Sequence, residues 1–386
     1  MKRLYTSLLC ARFGGQMVVV ALVLFVLARY RSPQLAGVAV ALATFPGLVV
    51  SPLAGALLDR TRMSRLVTLD YGVGAATSLL VAVLAALDWL PSPLLLAIVF
   101  LSSLSAPLSF GGARSLVPVV VPRHLWERAN ALDSASYVVA TIGGAPLAGV
   151  LVGLIGGGWT IGVSGLLTLA AMALMAGLDE PDRVRPPAGG SVVRNARAGL
   201  SYVVRNPTLR GLALTISVTN IGGGLVVVAL PVLVLTRLHG GPAEVGFLWG
   251  ISGAGALLSS LLAGRMKIQG RERGLIVLAI VVNLLAFALL PLAGSLLVVV
   301  ISLVVLGLGE GPLNVGVFTL RQRRTDPAWF GRVFTVSMSL NSLGTPIGSA
   351  LAGPLIGWSL SGTLWAVVAV TAVSMLFPLL VIPPDP

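Results

Sequence analysis

The chain of 386 residues is 56% hydrophobic and only 10% charged, and its mean hydropathy is +0.98. A water-soluble domain carries about 25% charged residues, so this composition excludes a soluble enzyme or binding module and favours helices that cross a bilayer. The net charge of +13 does not indicate a nucleic-acid partner, because the basic residues lie between apolar runs and not on one soluble face.

Twelve apolar segments follow one another along the chain, and each is long enough to cross a bilayer as a helix. We predict spans at 7–29, 34–57, 66–87, 93–113, 129–155, 159–178, 208–235, 243–264, 274–293, 295–320, 332–357 and 361–382. The 46 glycines are typical of membrane helices that pack closely through small residues. The sequence therefore predicts an all-α polytopic membrane protein with twelve transmembrane helices.

The spans form two copies of one unit. Val18-Val-Val-Ala-Leu22 in span one recurs as Val226-Val-Val-Ala-Leu230 in span seven. Gly144-Ala-Pro146 in span five recurs as Gly344-Thr-Pro346 in span eleven. A doubled, apolar, helical chain is the sequence sign of a secondary transporter.

The longest polar stretch, from Asp179 to Arg210, separates span six from span seven. We therefore predict a six-helix bundle at 1–178, a cytoplasmic linker at 179–207 and a second six-helix bundle at 208–386. Within the linker, residues 191–206 form either a short basic amphipathic helix on the inner membrane surface or a solvated connector.

Basic residues concentrate in the loops on one side of the predicted spans, as after span ten, where the loop begins with Arg321, Arg323 and Arg324. The loops on the other side carry Arg29, Arg31 and Arg237. By the positive-inside rule, the side richer in arginine is cytoplasmic. Both termini are therefore expected in the cytoplasm.

The loop after span two carries the clearest motif. Gly55-Ala-Leu-Leu-Asp-Arg-Thr-Arg-Met-Ser-Arg65 resembles the signature loop of the major facilitator superfamily, with Arg62 where a glycine is usual. The resemblance covers essentially the whole chain. It implies that family's fold of two pseudo-symmetric six-helix bundles, in which spans one, four, seven and ten line a central cavity.

Two further stretches resemble the bacterial exporter branch that handles siderophores, macrolides and other drugs, namely Arg114-Ser-Leu-Val-Pro118 and Glu127-Arg-Ala-Asn-Ala-Leu132. In span five, Gly143-Gly-Ala-Pro-Leu-Ala-Gly149 is similar to the Gly-Pro motif of antiporters, although Ala145 separates Gly144 from Pro146. Where the exporter branch often carries an acid in span one, this chain has Gln16. The resemblance implies a location in the inner membrane of a bacterium.

The motif loop is expected to form an inner gate. Asp59 stands at an inner helix end, where an acid faces the positive N-terminus of a neighbouring helix. Gly55 lets spans two and eleven approach closely. Such a network holds the inner helix ends together in one state of the transport cycle, while the alternative role for Asp59 is topology and stability alone. The candidate cationic partners are Arg60, Arg62, Arg65 and Arg114.

Two charged residues lie inside spans that the resemblance places at the cavity, Arg12 in span one and Glu310 in span ten. An ionisable residue there costs about 2.5–3.5 kcal/mol on insertion scales, so it faces a cavity or a partner. Glu310 is the leading proton-coupling candidate, since a carboxyl group at this place can take up and release a proton. Its flanking glycines and Pro312 predict a locally broken helix. The alternative is a fixed ion pair, with Arg12 as the candidate partner.

Two more acids, Asp70 and Asp133, lie about one turn inside the cytoplasmic ends of spans three and five. Three roles stay open for each of them. Each is part of the inner gate network, a second proton-coupling candidate, or an acid at a solvated helix end.

Five polar residues are candidates for contacting a substrate in the cavity: Arg12, Gln16, Asn220, Asn314 and Asn341. Each amide has hydrogen bonding to a neighbouring helix as its alternative, and packing is the favoured role for any single asparagine. Asn220 stands where Arg12 stands in the other half, which favours the cavity for this residue.

The chain has no Gly-x-x-x-x-Gly-Lys-Ser/Thr loop and no recognisable catalytic triad spacing, so we expect neither ATP hydrolysis nor an enzyme. We expect no cofactor and no metal. The leading function is proton-coupled efflux, by antiport and alternating access, of a small amphipathic compound. The partners are then the substrate, protons and the lipid bilayer, and the protein is a monomer. The alternatives are an importer or facilitator of a small nutrient and a lipid-translocating protein.

Overall fold

The computed structural model describes residues 2–181, 192–266, 269–326 and 329–383. Within these ranges the chain forms helices joined by short turns, and no β-strand occurs. The all-α fold predicted from the sequence is therefore confirmed. The helices are α1 (Lys2–Tyr30), α2 (Pro33–Arg60), α3 (Met63–Ala86), α4 (Ser92–Val120), α5 (Trp126–Ile155), α6 (Gly157–Ala176), α7 (Val192–Arg205), α8 (Pro207–Val232), α9 (Pro242–Ala263), α10 (Glu272–Leu289), α11 (Leu296–Arg323), α12 (Phe330–Ser342), α13 (Gly344–Trp358) and α14 (Leu360–Leu380).

Eleven stretches of the described chain are long and apolar enough to cross a membrane. One of them joins α8 to a π-helical turn, Leu233–Arg237. The predicted span at 332–357 consists of two shorter helices, α12 and α13, which meet at Leu343. Together these two helices make the twelfth crossing.

The break at Leu343 has one local cause and one tertiary cause. In an unbroken helix, the carbonyls of Asn341 and Ser342 would accept from the amides four residues later. For Ser342 that residue is Pro346, which has no N–H. The Asn341 carbonyl accepts a hydrogen bond from Nδ2 of Asn220 in α8 at 2.8 Å, which competes with its helical partner. The chain therefore restarts its helix one residue after Leu343.

The helices pack as two units. The first contains the chain up to Arg31 together with Leu42–Val192, and the second contains Ser32–Ala41 and the chain from Val193 onward. In the first unit, α1 packs against α5 and α6, and α3 packs against α4 and α6. In the second unit, α8 packs against α12, α13 and α14, and α11 packs against α9 and α10. The bundle boundaries predicted from the sequence stay a prediction.

Each unit has its own apolar core, built from the helices that also carry its polar residues. The buried cluster of the first unit includes Leu4, Leu8, Leu66, Val67, Leu116 and Met175. That of the second includes Leu212, Ile276, Ile280, Leu313, Val317 and Leu320. Because interiors are close-packed, these contacts fix which face each helix turns toward its neighbours.

Glycines let α11 approach its neighbours closely in the second unit. A Cβ on Gly307 or Gly311 of α11 would overlap the α9 chain at Ser252 and Ser259, respectively. A Cβ on Gly309 would overlap the side chain of Asn283 in α10. Helix α11 therefore lies directly against both neighbours, as small residues permit in membrane helices.

Part of the predicted linker is the helix α7, so the helical alternative for this segment is confirmed. Its place on the membrane surface stays a prediction, and residues 182–191 of the linker lie outside the described ranges. The end of α7 is fixed to the second unit. Tyr202 stacks on Trp329 with ring centroids 5.1 Å apart. Asn206 then caps α8, because its side chain accepts from the amide of Leu209 at 3.1 Å.

Candidate functional site

The first unit contains an ion pair between α1 and α5. Nη2 of Arg12 lies 2.6 Å from Oδ1 of Asp133, and the two side chains are only 16% and 18% exposed. Nη1 of Arg12 also donates to the Asp133 backbone oxygen at 2.6 Å and to the hydroxyl of Ser136. The guanidinium lies 5.7 Å from the centre of the Tyr137 ring. Arg12 is thus paired with Asp133 and not with Glu310, the partner considered for it from the sequence.

The second unit has a neutral contact between the corresponding pair of spans, seven and eleven. Asn220 of α8 donates from Nδ2 to the backbone oxygen of Asn341 in α12 at 2.8 Å. The two contacting residues are 121 positions apart, as are Arg12 and Asp133. In this structure Asn220 therefore makes the helix-packing contact that was its alternative role.

The second acid of interest, Glu310, lies in α11 and faces α10. Its Oε1 accepts a hydrogen bond from Nδ2 of Asn283 at 3.3 Å, and Asn283 is fully buried. Glu310 has no ion pair among the residues that the structure describes. The amide of Asn314 donates to the Glu310 backbone oxygen at 2.9 Å, so Asn314 bonds its own helix.

The local helix break predicted at Glu310 is wrong. Helix α11 runs without interruption from Leu296 to Arg323, with Pro312 inside it. Close packing on α9 and α10 holds the helix around the proline. The break occurs instead in span eleven at Leu343, where a side chain from another helix competes for a backbone carbonyl.

Asp70 is the third candidate acid. It is 9% exposed in α3, and its Oδ1 accepts from the hydroxyl of Ser105 in α4 at 2.5 Å. No ion pair of Asp70 occurs within the described ranges. The side chain is therefore a buried acid held by a hydroxyl group, and it is not an acid at a solvated helix end.

The span-five motif brings α5 against α1. A Cβ on Gly144 would lie 2.7 Å from Cβ of Gln16, and a Cβ on Gly143 would lie 3.0 Å from the Phe13 ring. Gln16 also donates from Nε2 to the Thr141 hydroxyl at 3.5 Å. The remaining motif residues continue the same helix, with Pro146 inside α5 and Gly149 buried.

The inner-gate motif is only partly described. The side chains of Asp59 and Arg114 lie outside the described part of the structure, so their expected pairing stays a prediction. Gly55 is exposed, and a Cβ on it would meet no described atom within 4 Å. Its expected role in close approach to span eleven also stays a prediction. Arg60 and Arg65 are exposed, whereas Arg62 is half-buried.

A buried acid beside this loop was missed from the sequence. Glu180, which follows α6, is 6% exposed and accepts from the amides of Met63 and Ser64 at 3.2 and 2.8 Å. These amides open α3, and its N-cap residue, Arg62, makes no side-chain cap. An acid suits the positive helix N-terminus. The missing cap at Arg62 was the signal that another residue supplies one.

A second residue missed from the sequence is Arg321, which was assigned to the cytoplasmic loop. It lies in the last turn of α11 and is 1% exposed. With the Asn341 amide oriented to donate to the Ser337 backbone oxygen at 3.0 Å, its Oδ1 accepts from Nη2 of Arg321 at 3.1 Å. Asn341 thus joins α8, α11 and α12.

A sequence profile of the Major Facilitator Superfamily matches residues 4–233 and 212–386. The chain belongs to the major facilitator superfamily. It is therefore a multi-pass membrane transporter and not an enzyme, as predicted.

An uncharacterized MFS-type transporter of Sinorhizobium fredii is 38% identical over 391 residues, covering 99% of this chain and 95% of the relative. The enterobactin exporter EntS of Shigella boydii serotype 18 is 26% identical over 324 residues, covering 81% of this chain and 74% of that exporter.

Solved transporter structures share the fold of this superfamily member. The nucleoside transporter NupG superposes with a TM-score of 0.77 at 12% identity, covering 99% of each chain. A bacterial homologue of the lysosomal transporter Spinster superposes with a TM-score of 0.70 at 16% identity, covering 98% of this chain and 95% of the homologue. At these identities the likeness concerns the fold alone.

Proposed function

We propose that this transporter is a proton-coupled exporter of a small amphipathic compound, working as an antiporter by alternating access. Its partners are then the substrate and protons, and it works as a monomer in the bacterial inner membrane with both termini in the cytoplasm. The observation that carries the proposal is the carboxyl group of Glu310. It lies inside a membrane helix with an amide as its hydrogen-bond partner and without an ion pair in the described ranges. Ionisable residues at such places mark proton and substrate pathways.

Asn283 suits a carboxyl group that gains and loses a proton. A side-chain amide carries both donors and an acceptor. Its Nδ2 donates to Oε1 of Glu310, which suits the ionised carboxylate. Its buried Oδ1 has no hydrogen-bond partner and can accept from a protonated carboxyl group. One neighbour can therefore stabilise Glu310 in both protonation states.

The other two acids are less suited to carrying the coupling proton. Asp133 is held by Arg12, and protonating it would leave a largely buried cation without its partner. Asp70 has the hydroxyl of Ser105 as its hydrogen-bond partner, which makes Asp70 the second candidate after Glu310.

Sequence likeness supports export as the direction. The enterobactin exporter is similar over 81% of this chain, and the stretches around Arg114 and Glu127 resemble the exporter branch. The likeness to a nucleoside transporter at 12% identity supports the fold and gives no direction. Import of a nutrient is therefore an outcome that the experiment must be able to show.

Inside-out membrane vesicles with an acidic interior test the coupling. A proton antiporter of the proposed orientation accumulates its substrate inside such vesicles. Two amphipathic probes, ethidium and 2-naphthoate, cover a cation and an anion. We expect gradient-dependent uptake of at least one probe by the wild type and its loss in Glu310→Gln. Glutamine keeps the volume of glutamate and an oxygen for Asn283, but it cannot exchange a proton.

Glu244→Gln is the matched control, because Glu244 is an exposed acid of the same unit that caps the start of α9. It should retain the gradient-dependent uptake. Full gradient-dependent uptake by Glu310→Gln would overturn the role of Glu310. Uptake driven by an acidic exterior in right-side-out vesicles would identify an importer instead.

A further inference from the structure

Arg321 is a buried cation without a counter-charge. It is 1% exposed, and it makes no ion pair in the part of the chain that the structure describes. Glu310, the nearest acid before it in α11, stands eleven residues earlier, about 16 Å along the helix axis. Buried charges are normally paired, because removing a charge from water is costly. Arg321 therefore needs an explanation beyond the positive-inside rule.

Arg321 differs from the arginines that do form ion pairs. Each of them contacts a carboxylate: Arg12 contacts Asp133 at 2.6 Å, Arg29 contacts Asp88 at 3.1 Å and Arg323 contacts Glu272 at 2.7 Å. Arg323 stands only two residues after Arg321 on the same helix. The chain thus supplies an acid to a partly exposed arginine and none to the buried one beside it.

The neighbours of Arg321 are neutral. Its Nη2 donates to Oδ1 of Asn341 at 3.1 Å, and its Nη1 lies 3.8 Å from the sulfur of Met338. Its Nε has no hydrogen-bond partner. The hydroxyl of Ser337, which is 1% exposed, also has none. Ser337 stands four residues before Asn341, the residue that Arg321 contacts, so it lies on the same face of α12 as that contact.

Two aromatic rings complete this cluster. The guanidinium carbon of Arg321 lies 5.6 Å from the ring centre of Phe318 and 5.9 Å from that of Phe334. The two rings stack with their centres 6.0 Å apart and their planes 28° apart. A cation beside aromatic faces offers a charged contact and an apolar contact in the same place.

We propose that Arg321, Ser337 and Asn341 form an anion-binding site that receives the carboxylate of an amphipathic aromatic acid. The carboxylate accepts from Nε of Arg321 and from the Ser337 hydroxyl, and the ring of the acid packs on Phe318 and Phe334. Arginine is the side chain best matched to a carboxylate, since its planar fork offers several donors in fixed directions. This names the substrate class of the exporter proposed above and rests on that proposal.

A ligand reaches the site only if α12 moves away from α11, because the guanidinium of Arg321 is covered by side chains of α12. The helix break at Leu343 separates α12, which carries Ser337 and Asn341, from α13. Gly344 fixes the start of α13 against α8, since a Cβ on it would overlap the backbone of Ser217. In the proposed site, α12 is the element that moves to admit the ligand, while α13 stays packed on α8.

The test is equilibrium binding to the purified full-length protein, with 2-naphthoate as the probe. Its neutral amide, 2-naphthamide, and its cationic analogue, 2-naphthylmethylamine, have nearly the same ring and size. We expect the wild type to bind 2-naphthoate about tenfold or more tighter than 2-naphthamide, as expected for a charge-assisted hydrogen bond. Arg321→Gln should abolish this difference, and Arg321→Lys should retain part of it. Arg210→Gln, which removes an exposed arginine of the same unit, should leave the difference unchanged.

A second measurement separates binding from folding. Arg321→Met removes a buried charge that lacks an ion-pair partner in the described ranges. Without ligand, this variant should therefore have the wild-type unfolding temperature or a higher one. A clear fall in that temperature would make Arg321 a structural residue and overturn the proposal. So would an unchanged preference for 2-naphthoate in Arg321→Gln, or inorganic phosphate or phosphatidylglycerol competing as well as 2-naphthoate. Because binding is measured without a proton gradient, its failure is distinct from a failure of the proposed coupling.

Discussion

Asn220 donates a hydrogen bond to the backbone oxygen of Asn341 between the first and fifth spans of the second repeat, as Arg12 contacts Asp133 between those of the first. Both contacts join residues 121 positions apart. Each half of the transporter therefore has a polar contact between the first and the fifth span of its repeat. In the first half the donor is the guanidinium of Arg12, which also forms an ion pair with the Asp133 carboxylate. In the second half the donor is the neutral amide of Asn220.

The ion pair in the first half should matter for stability. Asp133→Asn keeps the shape of the side chain but leaves the charge of Arg12 without its partner. Breaking a buried ion pair costs about 3–5 kcal/mol, and the 16–18% exposure of this pair reduces the expected loss to about 1–3 kcal/mol. The measurement is the free energy of unfolding of the purified protein. Adding Arg12→Met to Asp133→Asn should recover much of the loss, because no unpaired charge remains.

Asp88→Asn is the matched control for that substitution. Asp88 pairs with Arg29 at 3.1 Å, but its side chain is 88% exposed. The expected loss is below about 1 kcal/mol, as for surface pairs in general. Equal effects of Asp88→Asn and Asp133→Asn, or strictly additive effects of Arg12→Met and Asp133→Asn, would contradict the pairing.

The sequence predicts the membrane helices and the leading proton-coupling candidate, Glu310, because both signals are local. An apolar run of about 20 residues requires a span whatever its neighbours are. Glu310 is visible as an acid within such a run. Its partner Asn283 is 27 residues away on another helix, and nothing in the sequence gives the rotation that brings them together.

The features missed from the sequence arise from tertiary contacts. Arg321 stands at a predicted span end beside Arg323 and Arg324, so composition assigns it to the loop, whereas in the structure it is 1% exposed and contacts Met338 and Asn341 of α12. The break at Leu343 depends in part on a bond from Asn220, 121 residues before the carbonyl that it reaches. Local pattern shows Pro346 but neither this bond nor the burial of Arg321.

Glu180 should stabilise the first turn of α3. Removing the side chain in Glu180→Ala leaves the amides of Met63 and Ser64 without their acceptor. The loss of a helix cap costs about 0.5–2 kcal/mol, which corresponds to roughly twofold to thirtyfold in the local opening equilibrium. Hydrogen exchange of the α3 amides should therefore accelerate at the start of the helix. Asp179→Ala is the control, since Asp179 is the exposed neighbouring acid, and equal protection in both variants would argue against the cap.

The close approach of α11 to α9 should make one glycine irreplaceable and leave another free to change. A Cβ on Gly311 would lie 2.7 Å from the Ser259 carbonyl carbon and would also overlap the Ser259 hydroxyl. Gly311→Ala is therefore expected to lower the free energy of unfolding by about 1–3 kcal/mol, as overpacking does. A Cβ on Gly223 in α8 would meet no atom within 4 Å, so Gly223→Ala should raise stability by about 0.5–1 kcal/mol through helix propensity. Since Gly309 and Gly311 fix the same stretch of α11 that presents Glu310 to Asn283, a neutral Gly311→Ala would contradict both the helix crossing and the geometry on which the coupling proposal rests.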